Sequence, residues 1–418
     1  MLEKRNFKEL FLVASNHFIE LFTTLIITKI ISVNLSKQDF GFYSLILSIL
    51  ALISILPFTS LQTAIERYII EYKDKNVYEK KFVSILFIHV FFFVLYLIVF
   101  VFFLFSGLMS NVWKEMMPFF IPFVIVRIYK YLLLTILNIE RKRKYMIIAR
   151  IVDVFLQVCI VLIYIFYNKN LTVNAVLISS FIGNLLCVII LLLFERSQIC
   201  LQELNYNNFI AVFKDVFNYS IPLIIWGVFL WSQNMIGRWY IDVFLGKVDV
   251  ANYSTMSSLS NMPSILIIAL VGQFVVPIAY AKETNNKGYI KKINNLLLPL
   301  SVGIWIVIII FTYLFRDLLI KIFLDKKYLD VSWSLALLMI GTAIYSTGQI
   351  LIYGIYYYKK PKLLLWSNVF PGIFAIIVGY FLVKEYAYKG AILTNVLSNS
   401  LSGLLTLLTV YLFNKKNI

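Results

Sequence analysis

The stretch Lys130-Tyr-Leu-Leu-Leu-Thr-Ile-Leu-Asn-Ile-Glu140-Arg-Lys-Arg-Lys144-Tyr-Met-Ile-Ile-Ala-Arg150-Ile-Val-Asp153 decides the fold. An apolar helix end runs into four consecutive cations and then into a second apolar helix, as when two membrane spans are joined by a short basic turn. The turn fixes the membrane face on which it lies. Lys130, Arg150 and Asp153 place charge where hydrocarbon is expected, and that bears on function.

The composition agrees with this reading along the whole chain. The 418 residues are 61% hydrophobic and 14% charged, with mean hydropathy +0.86. Apolar runs recur throughout, so no single soluble core hides them. The formal charge of +17 does not indicate nucleic-acid binding, because the cations sit mostly in short loops where topology explains them. Cys159, Cys187 and Cys200 form no CxxC pair and no ligand spacing with His17 or His89. Neither a metal site, nor a cofactor, nor a disulfide framework is expected. The basic N-terminus precedes a long apolar run that carries Glu20 and lacks a small-residue cleavage pattern, so the first span is expected to stay.

About 20 apolar residues cross roughly 30 Å of hydrocarbon as a helix. Spans are placed on that rule near residues 10–33, 40–63, 82–106, 116–138, 147–167, 172–194, 217–240, 251–278, 295–315, 331–355, 364–383 and 390–413. Alternate loops hold 23 and 11 Lys and Arg residues, which puts both termini in the cytoplasm. The one basic outer loop, Arg316 to Asp330, carries Leu318, Leu319, Ile322 and Phe323 and reads as a short amphipathic interfacial helix.

The halves repeat. Leu35-Ser-Lys-Gln-Asp39 with Tyr43-Ser44 matches Leu245-Gly-Lys-Val-Asp249 with Tyr253-Ser254, an offset of 210. Arg141-Lys-Arg-Lys144 matches Lys359-Lys-Pro-Lys362 at 218, and Ala175-Val-Leu177 matches Ala391-Ile-Leu393 at 216. An offset of six helices keeps the orientation, so the repeats are parallel about an axis along the membrane normal, and the cleft between such bundles serves alternating access. The fold class is an all-α integral membrane protein of about twelve transmembrane helices in two parallel six-helix bundles. The first bundle takes residues 1–195, a cytoplasmic linker 196–216 and the second bundle 217–418.

Charges within the spans are Glu20, Lys29, Arg127, Lys130, Arg150, Asp153, Arg238 and Asp242. Each costs about 2.5–3.5 kcal/mol on insertion scales unless it faces protein or water. Arg127 and Lys130 share a helix face, and such a face suits a phosphate or pyrophosphate, with Arg as a planar fork and Lys as a point charge. The competing reading has Lys130 snorkelling and Arg127 capping carbonyls of a neighbour. Arg150 and Asp153 are expected to neutralise each other. Asn16, His17, Glu20, Thr24 and Thr28 make a polar stripe at helical spacing, in which Glu20 is the candidate protonatable coupling group or a carboxyl that only packs helices, and His17 is helix glue. Span seven places Trp226, Trp231, Gln233 and Asn234 at depth. Rings that stack on pyranose faces and amides that bond hydroxyls make these four sugar-facing candidates. Trp239 and Tyr253 are expected in the interfacial aromatic belt.

Enzyme signatures are lacking. Apart from Arg316 to Asp330, the outer loops are too short to hold the acids or metal ligands of a membrane glycosyltransferase, and no GxxxxGK[ST] phosphate loop occurs. The order of several short motifs is informative: Leu35-Ser-Lys-Gln-Asp-Phe-Gly-Phe-Tyr-Ser44, Ala64-Ile-Glu-Arg-Tyr68, Ile221-Pro222, Phe244-Leu-Gly246 with Tyr253-Ser254, and Tyr388-Lys-Gly-Ala391. Over nearly the whole chain this order resembles the polysaccharide (O-antigen type) flippases of the multidrug/oligosaccharidyl-lipid/polysaccharide (MOP) exporter superfamily. The resemblance implies a transporter in the bacterial inner membrane that moves undecaprenyl-pyrophosphate-linked oligosaccharide between leaflets, for O-antigen or capsule-type polysaccharide. It implies membrane lipids around it and a downstream polysaccharide polymerase as a candidate partner. It further implies a cavity lined by spans one, two, seven and eight, which supports Lys29, Arg67 and Arg238 as pyrophosphate ligands, Gln233 and Asn234 beside the sugar, and Glu20 in coupling. Arg127 and Lys130 stand on the physical argument alone. The alternatives are another lipid-linked precursor flippase, an antiporter of the multidrug branch and, last, a membrane polysaccharide polymerase.

Overall fold

The computed structural model describes residues 22–63, 78–105, 111–139, 142–194, 206–283, 287–358 and 360–417. Among the described residues every regular element is helical. In chain order they are Phe22–Asn34 (α1), Lys37–Ile53 (α2), Tyr78–Phe105 (α3), Asn111–Ile139 (α4), Arg143–Asn168 (α5), Val173–Phe194 (α6), Tyr206–Phe244 (α7), Lys247–Leu270 (α8), Val276–Glu283 (α9), Tyr289–Phe323 (α10), Trp333–Gln349 (α11), Tyr353–Tyr357 (α12) and Trp366–Asn417 (α13). Eight segments among the described residues are long and apolar enough to cross a bilayer. The surface is polarised as a bilayer requires: Phe102, Phe155, Leu193 and Val307 are exposed, whereas Ser44, Ser180, Ser260, Asn395 and Ser402 are buried. Lipid takes the place of water around the apolar perimeter, so polar side chains turn inward to find partners. The chain is a multi-pass membrane protein.

The helix ends and breaks have local causes. Leu56 leaves helical geometry (φ −103°, ψ 101°) inside a π-turn at Ser54–Thr59, because a residue before proline, here Pro57, is pushed toward extended backbone. The Tyr96 hydroxyl donates to the freed Leu56 carbonyl. Between α7 and α8, Gly246 adopts φ 95° and its N–H returns to the Ile241 carbonyl at 3.0 Å, a left-handed helix stop that glycine tolerates without steric cost. The helix that carries span seven starts before the expected span, at Tyr206. The loop expected at Arg316 to Asp330 is helical up to Phe323 as the continuation of α10 past a kink at Phe315, and then forms a 3₁₀ turn at Lys326–Val331.

The 52 residues of α13 would reach about 78 Å as one straight helix. They do not run straight. Ala387 breaks the helix (φ 51°, ψ −130°), and a Cβ on Gly390 would stand 1.9 Å from the Leu382 carbonyl oxygen. A Cβ on Gly379 would likewise meet the Thr394 methyl at 2.7 Å. Residues 379 and 394, and 382 and 390, therefore face each other across a helical hairpin.

Packing sorts the chain into two compact units, residues 1–48 with 228–418 and residues 49–227, and the divisions fall inside α2 and α7. This sorting follows contact and the duplication follows sequence, so the two partition the chain differently. In the first unit Leu297, Ile350, Leu351, Val410 and Phe413 join α10, α11 and α13. In the second, Leu133, Leu137, Ala149, Cys187 and Leu191 join α4, α5 and α6.

Glu283 ends α9 as a tether. Its carboxylate accepts N–H bonds from Gly288 (2.8 Å) and Ile290 (2.7 Å) at the start of α10, and the Tyr358 hydroxyl donates to it at 2.6 Å. Burial pushes this carboxyl up, but the bonds from Tyr358, Ile290 and Gly288 outweigh burial and hold it below the usual glutamate value. In return the bond to Glu283 pushes the Tyr358 hydroxyl up to about 12. A depressed carboxyl stabilises the fold fully above its unfolded pKa of about 4.3, and the contribution fades as pH falls through the lower folded value. Glu283→Gln is expected to lower the thermal midpoint at pH 7, with the gap to the parent closing as pH drops below about 4. A gap constant across that window contradicts the assignment. Gly390→Ala is expected to cost about 1–3 kcal/mol by overpacking the hairpin, read as a lower unfolding midpoint of the purified protein in detergent.

Candidate functional site

The interior of the first unit is polar, and α7 organises it. One side of α7 meets α2, where Ser44 and Ser48 lie one turn apart. The Trp231 indole N–H donates to the Ser48 carbonyl at 2.7 Å, the Trp239 indole N–H to the Ser48 hydroxyl at 3.0 Å, and Arg238 Nη1 to the Ser44 carbonyl at 3.4 Å. Another side of α7 meets the second arm of α13. There the Gln233 amide donates to Asn399 Oδ1 at 2.7 Å, and the Asn399 amide donates to Asn395 Oδ1 at 3.0 Å. Asn234 turns back on its own helix and donates to the Leu230 carbonyl at 2.9 Å. Trp226 is half-buried and belongs to the second unit.

Arg238 is 7% exposed. Its Nε has no hydrogen-bond partner among the described residues, nor do Gln233 Oε1, Asn252 Oδ1, Ser254 Oγ and Asn395 Nδ2. Unsatisfied buried polar atoms are rare in native proteins and commonly mark a place for water, an ion or a ligand. The five atoms come from α7, α8 and α13 of one unit, and two are amide oxygens while three are donors.

Tyr253 corrects an expectation. It is 2% exposed and so does not sit in an aromatic belt at the lipid interface. Its ring packs against Gly237 of α7, where a Cβ would stand in ordinary contact at 3.4 Å from the Tyr253 hydroxyl. Trp239, bonded to Ser48, is also turned inward.

In the second unit Asp153 has a partner that its neighbourhood in the sequence does not suggest. Lys130 of α4 reaches its carboxylate at 2.7 Å, with side chains 13% and 9% exposed, and the Lys130 ammonium also donates to Asn184 Oδ1. The close packing of α6 brings Asn184 to Asp153 and Lys130: a Cβ on Gly183 would lie 2.7 Å from Asp153 Oδ1. Lys130 is therefore neutralised within the protein and does not snorkel. Arg127 sits over the rings of Phe123 and Tyr131 on its own helix, 5.7 Å from each centroid. Lys29 donates to the carbonyls of Lys321, at 2.7 Å, and Leu324. Glu20, His17 and Arg67 lie outside the described residues.

Asn395, Asn399 and Asn184 were missed from the sequence, although the signal existed. Asn395, Ser398, Asn399, Ser402 and Thr406 recur at helical spacing in the last span, and Ser180 and Asn184 do so in the sixth.

The membrane-embedded helical bundle has the fold of several solved structures. An inward-facing multidrug resistance MATE family transporter of the MOP superfamily superposes with TM-score 0.73 at 13% identity, over 96% of both chains. The lipid II flippase MurJ in an inward closed conformation gives 0.67 at 13% identity, over 96% of this chain and 87% of that one. A point mutant of the Vibrio cholerae MATE transporter VcmN gives 0.65 at 14% identity, over 99% and 97%. Residues 8–281 match the model of the polysaccharide biosynthesis protein family, and the chain belongs to that family. The capsular polysaccharide biosynthesis protein CapF of Staphylococcus aureus is 22% identical over 269 residues, which are 62% of this chain and 64% of that relative's length.

Removing one partner of a buried ion pair costs about 3–5 kcal/mol, because the other charge is left uncompensated. Asp153→Ala is expected to destabilise by that amount, and Lys130→Met in the same chain to restore much of the loss. A double-mutant cycle on thermal or denaturant unfolding reads the coupling, and a coupling near zero contradicts the pairing.

Proposed function

We propose that the protein flips undecaprenyl-pyrophosphate-linked oligosaccharide repeat units from the cytoplasmic to the outer leaflet of the bacterial cytoplasmic membrane. The substrate feeds an O-antigen or capsule-type surface polysaccharide. The proposal takes twelve spans in two parallel six-helix halves with both termini cytoplasmic, in keeping with the repeated motifs and with the 23 to 11 bias of loop cations. Membership in the polysaccharide biosynthesis family supports the pathway.

Arg238 carries the reading. A guanidinium 7% exposed, with one long bond to a carbonyl and a free Nε, is poorly compensated for its burial. It is poised for an anion with several acceptor oxygens. An antiporter of cationic drugs needs carboxylates in that place. Arg127, stacked over ring faces of its own helix, is the second pyrophosphate candidate. Lys29 and Lys130 join such a site only by leaving their present carbonyl and carboxylate partners, and Arg67 completes the proposed cationic set. Gln233, Trp231, Asn234 and Trp226, extended by Asn395 and Asn399, are the proposed sugar contacts. Glu20 is the proposed coupling carboxyl. The transport step breaks no covalent bond, so the charge has only to be bound and moved, and catalysis by this chain is not part of the proposal.

Cells lacking the protein are expected to accumulate lipid-linked oligosaccharide on the cytoplasmic leaflet, as read with an impermeant lectin or oxidant. Normal arrival at the outer leaflet, with unpolymerised units collecting there, contradicts flipping. Arg238→Met and Arg127→Ala are each expected to lower surface polysaccharide about tenfold or more at unchanged protein abundance, the loss of at least one charge-assisted contact to phosphate. Unchanged polysaccharide returns the substituted arginine to a packing role.

A further inference from the structure

We infer that Lys29 and Lys327 form a reciprocal clasp, in which each lysine closes the C-terminus of the other's helix, and that the clasp must release for this end of the first unit to open. The backbone N–H of Leu35 returns to Ile31 at the end of α1, and that of Leu324 returns to Ile320 at the end of α10, at 2.9 and 2.8 Å. Both leucines are buried. A helix C-terminus leaves carbonyls without intrahelical donors and carries about half a negative charge. Lys29, on α1, donates to the carbonyls of Lys321 and Leu324 at the end of α10. Lys327, just beyond α10, donates to the Leu35 carbonyl at the end of α1 at 2.5 Å. Two orphaned helix ends are thus satisfied crosswise by two ammonium groups.

The surroundings hold the clasp in register. Asp325 caps the 3₁₀ turn by accepting the Lys327 backbone N–H at 2.9 Å, which fixes the start of that side chain. Tyr328 is buried, packs edge-on against Phe40 at 6.0 Å and lies 5.5 Å from the Lys37 ammonium. Gly41 of α2 rests so tightly on the Lys247 carbonyl that a Cβ would stand 1.9 Å from its oxygen. Three connections therefore converge here: the α1–α2 turn, the start of α8 and the 3₁₀ turn after α10. Separating α1 from α10 has to withdraw two cations from three carbonyls at once, which makes a two-state gate of what is otherwise a loop cluster.

The inference rests on the proposed orientation only in calling this end extracytoplasmic. The test uses the full chain with Cys159, Cys187 and Cys200 replaced by Ser and one probe, Ser44→Cys. Ser44 is buried and lies one turn along α2 from Phe40. A membrane-impermeant maleimide is applied to the outside of intact cells and, separately, to inside-out vesicles, and labelling is normalised to the total after denaturation. Lys29→Gln with Lys327→Gln is expected to speed labelling from outside about tenfold, the effect of losing one or two charge-assisted hydrogen bonds. Lys29→Arg with Lys327→Arg, which keeps both charges, and Lys326→Gln, a neighbouring exposed lysine, are expected to label at the parental rate. The single Gln variants, expected to fall between, serve if the double variant does not accumulate. Parental labelling from both faces in folded Gln variants overturns the clasp. A rise confined to inside-out vesicles supports the clasp and contradicts the proposed orientation.

Discussion

Hydrocarbon solvates neither charge nor the free ends of helices, and that constraint shapes every cation described here. Lys29 and Lys327 lie on carbonyls at helix ends, Lys130 on a carboxylate and Arg127 on two rings. Arg238 has one long bond to a carbonyl and an Nε without a partner among the described residues, the poorest compensation of these cations. The same constraint acts on the backbone. Where Pro57 forces Leu56 out of the helix, Tyr96 supplies the missing donor, and where α9 ends, Glu283 gathers the first N–H groups of α10.

The four compensations differ in what they permit. A lysine matched to a carboxylate is neutral as a pair, and losing either partner strands the other charge, so Lys130 and Asp153 read first as the joint that holds α4, α5 and α6 together. A lysine on helix-end carbonyls keeps its net charge and is held by dipoles alone, an arrangement that tolerates exchange. A guanidinium with unused donors invites an anion. Substrate recognition is accordingly proposed for Arg238 and its amide neighbours, gating for Lys29 and Lys327, and first a structural role for Lys130.

The fold was legible because the bilayer imposes a simple rule on composition. Apolar runs, basic turns and a repeated Asp39 and Asp249 pattern needed only length and period to be read. Side-chain partners were not legible, for reasons specific to each. Asp153 has Arg150 three residues away in the sequence, and only the approach of α6 at Gly183 reveals Lys130 and Asn184 beside it. The partners of Lys29 leave no sign in the sequence, because its acceptors are backbone carbonyls 292 and 295 residues away, and carbonyls leave no mark in composition. Tyr253 resembles a belt residue by its position near a span end, yet it packs inside against Gly237 of α7. The Asn395 and Asn399 pair shows in the sequence only as a helical period, because uncharged amides in a span do not stand out among other polar positions.

The most direct test of the central claim is transport by the purified chain. Protein reconstituted into vesicles with lipid-linked oligosaccharide loaded in one leaflet should bring the sugar to the opposite leaflet, where an added lectin binds it. The transfer should depend on the protein and leave the sugar chain at its original length. Folded protein that transfers no more than protein-free vesicles, or that converts repeat units into longer chains, contradicts the account.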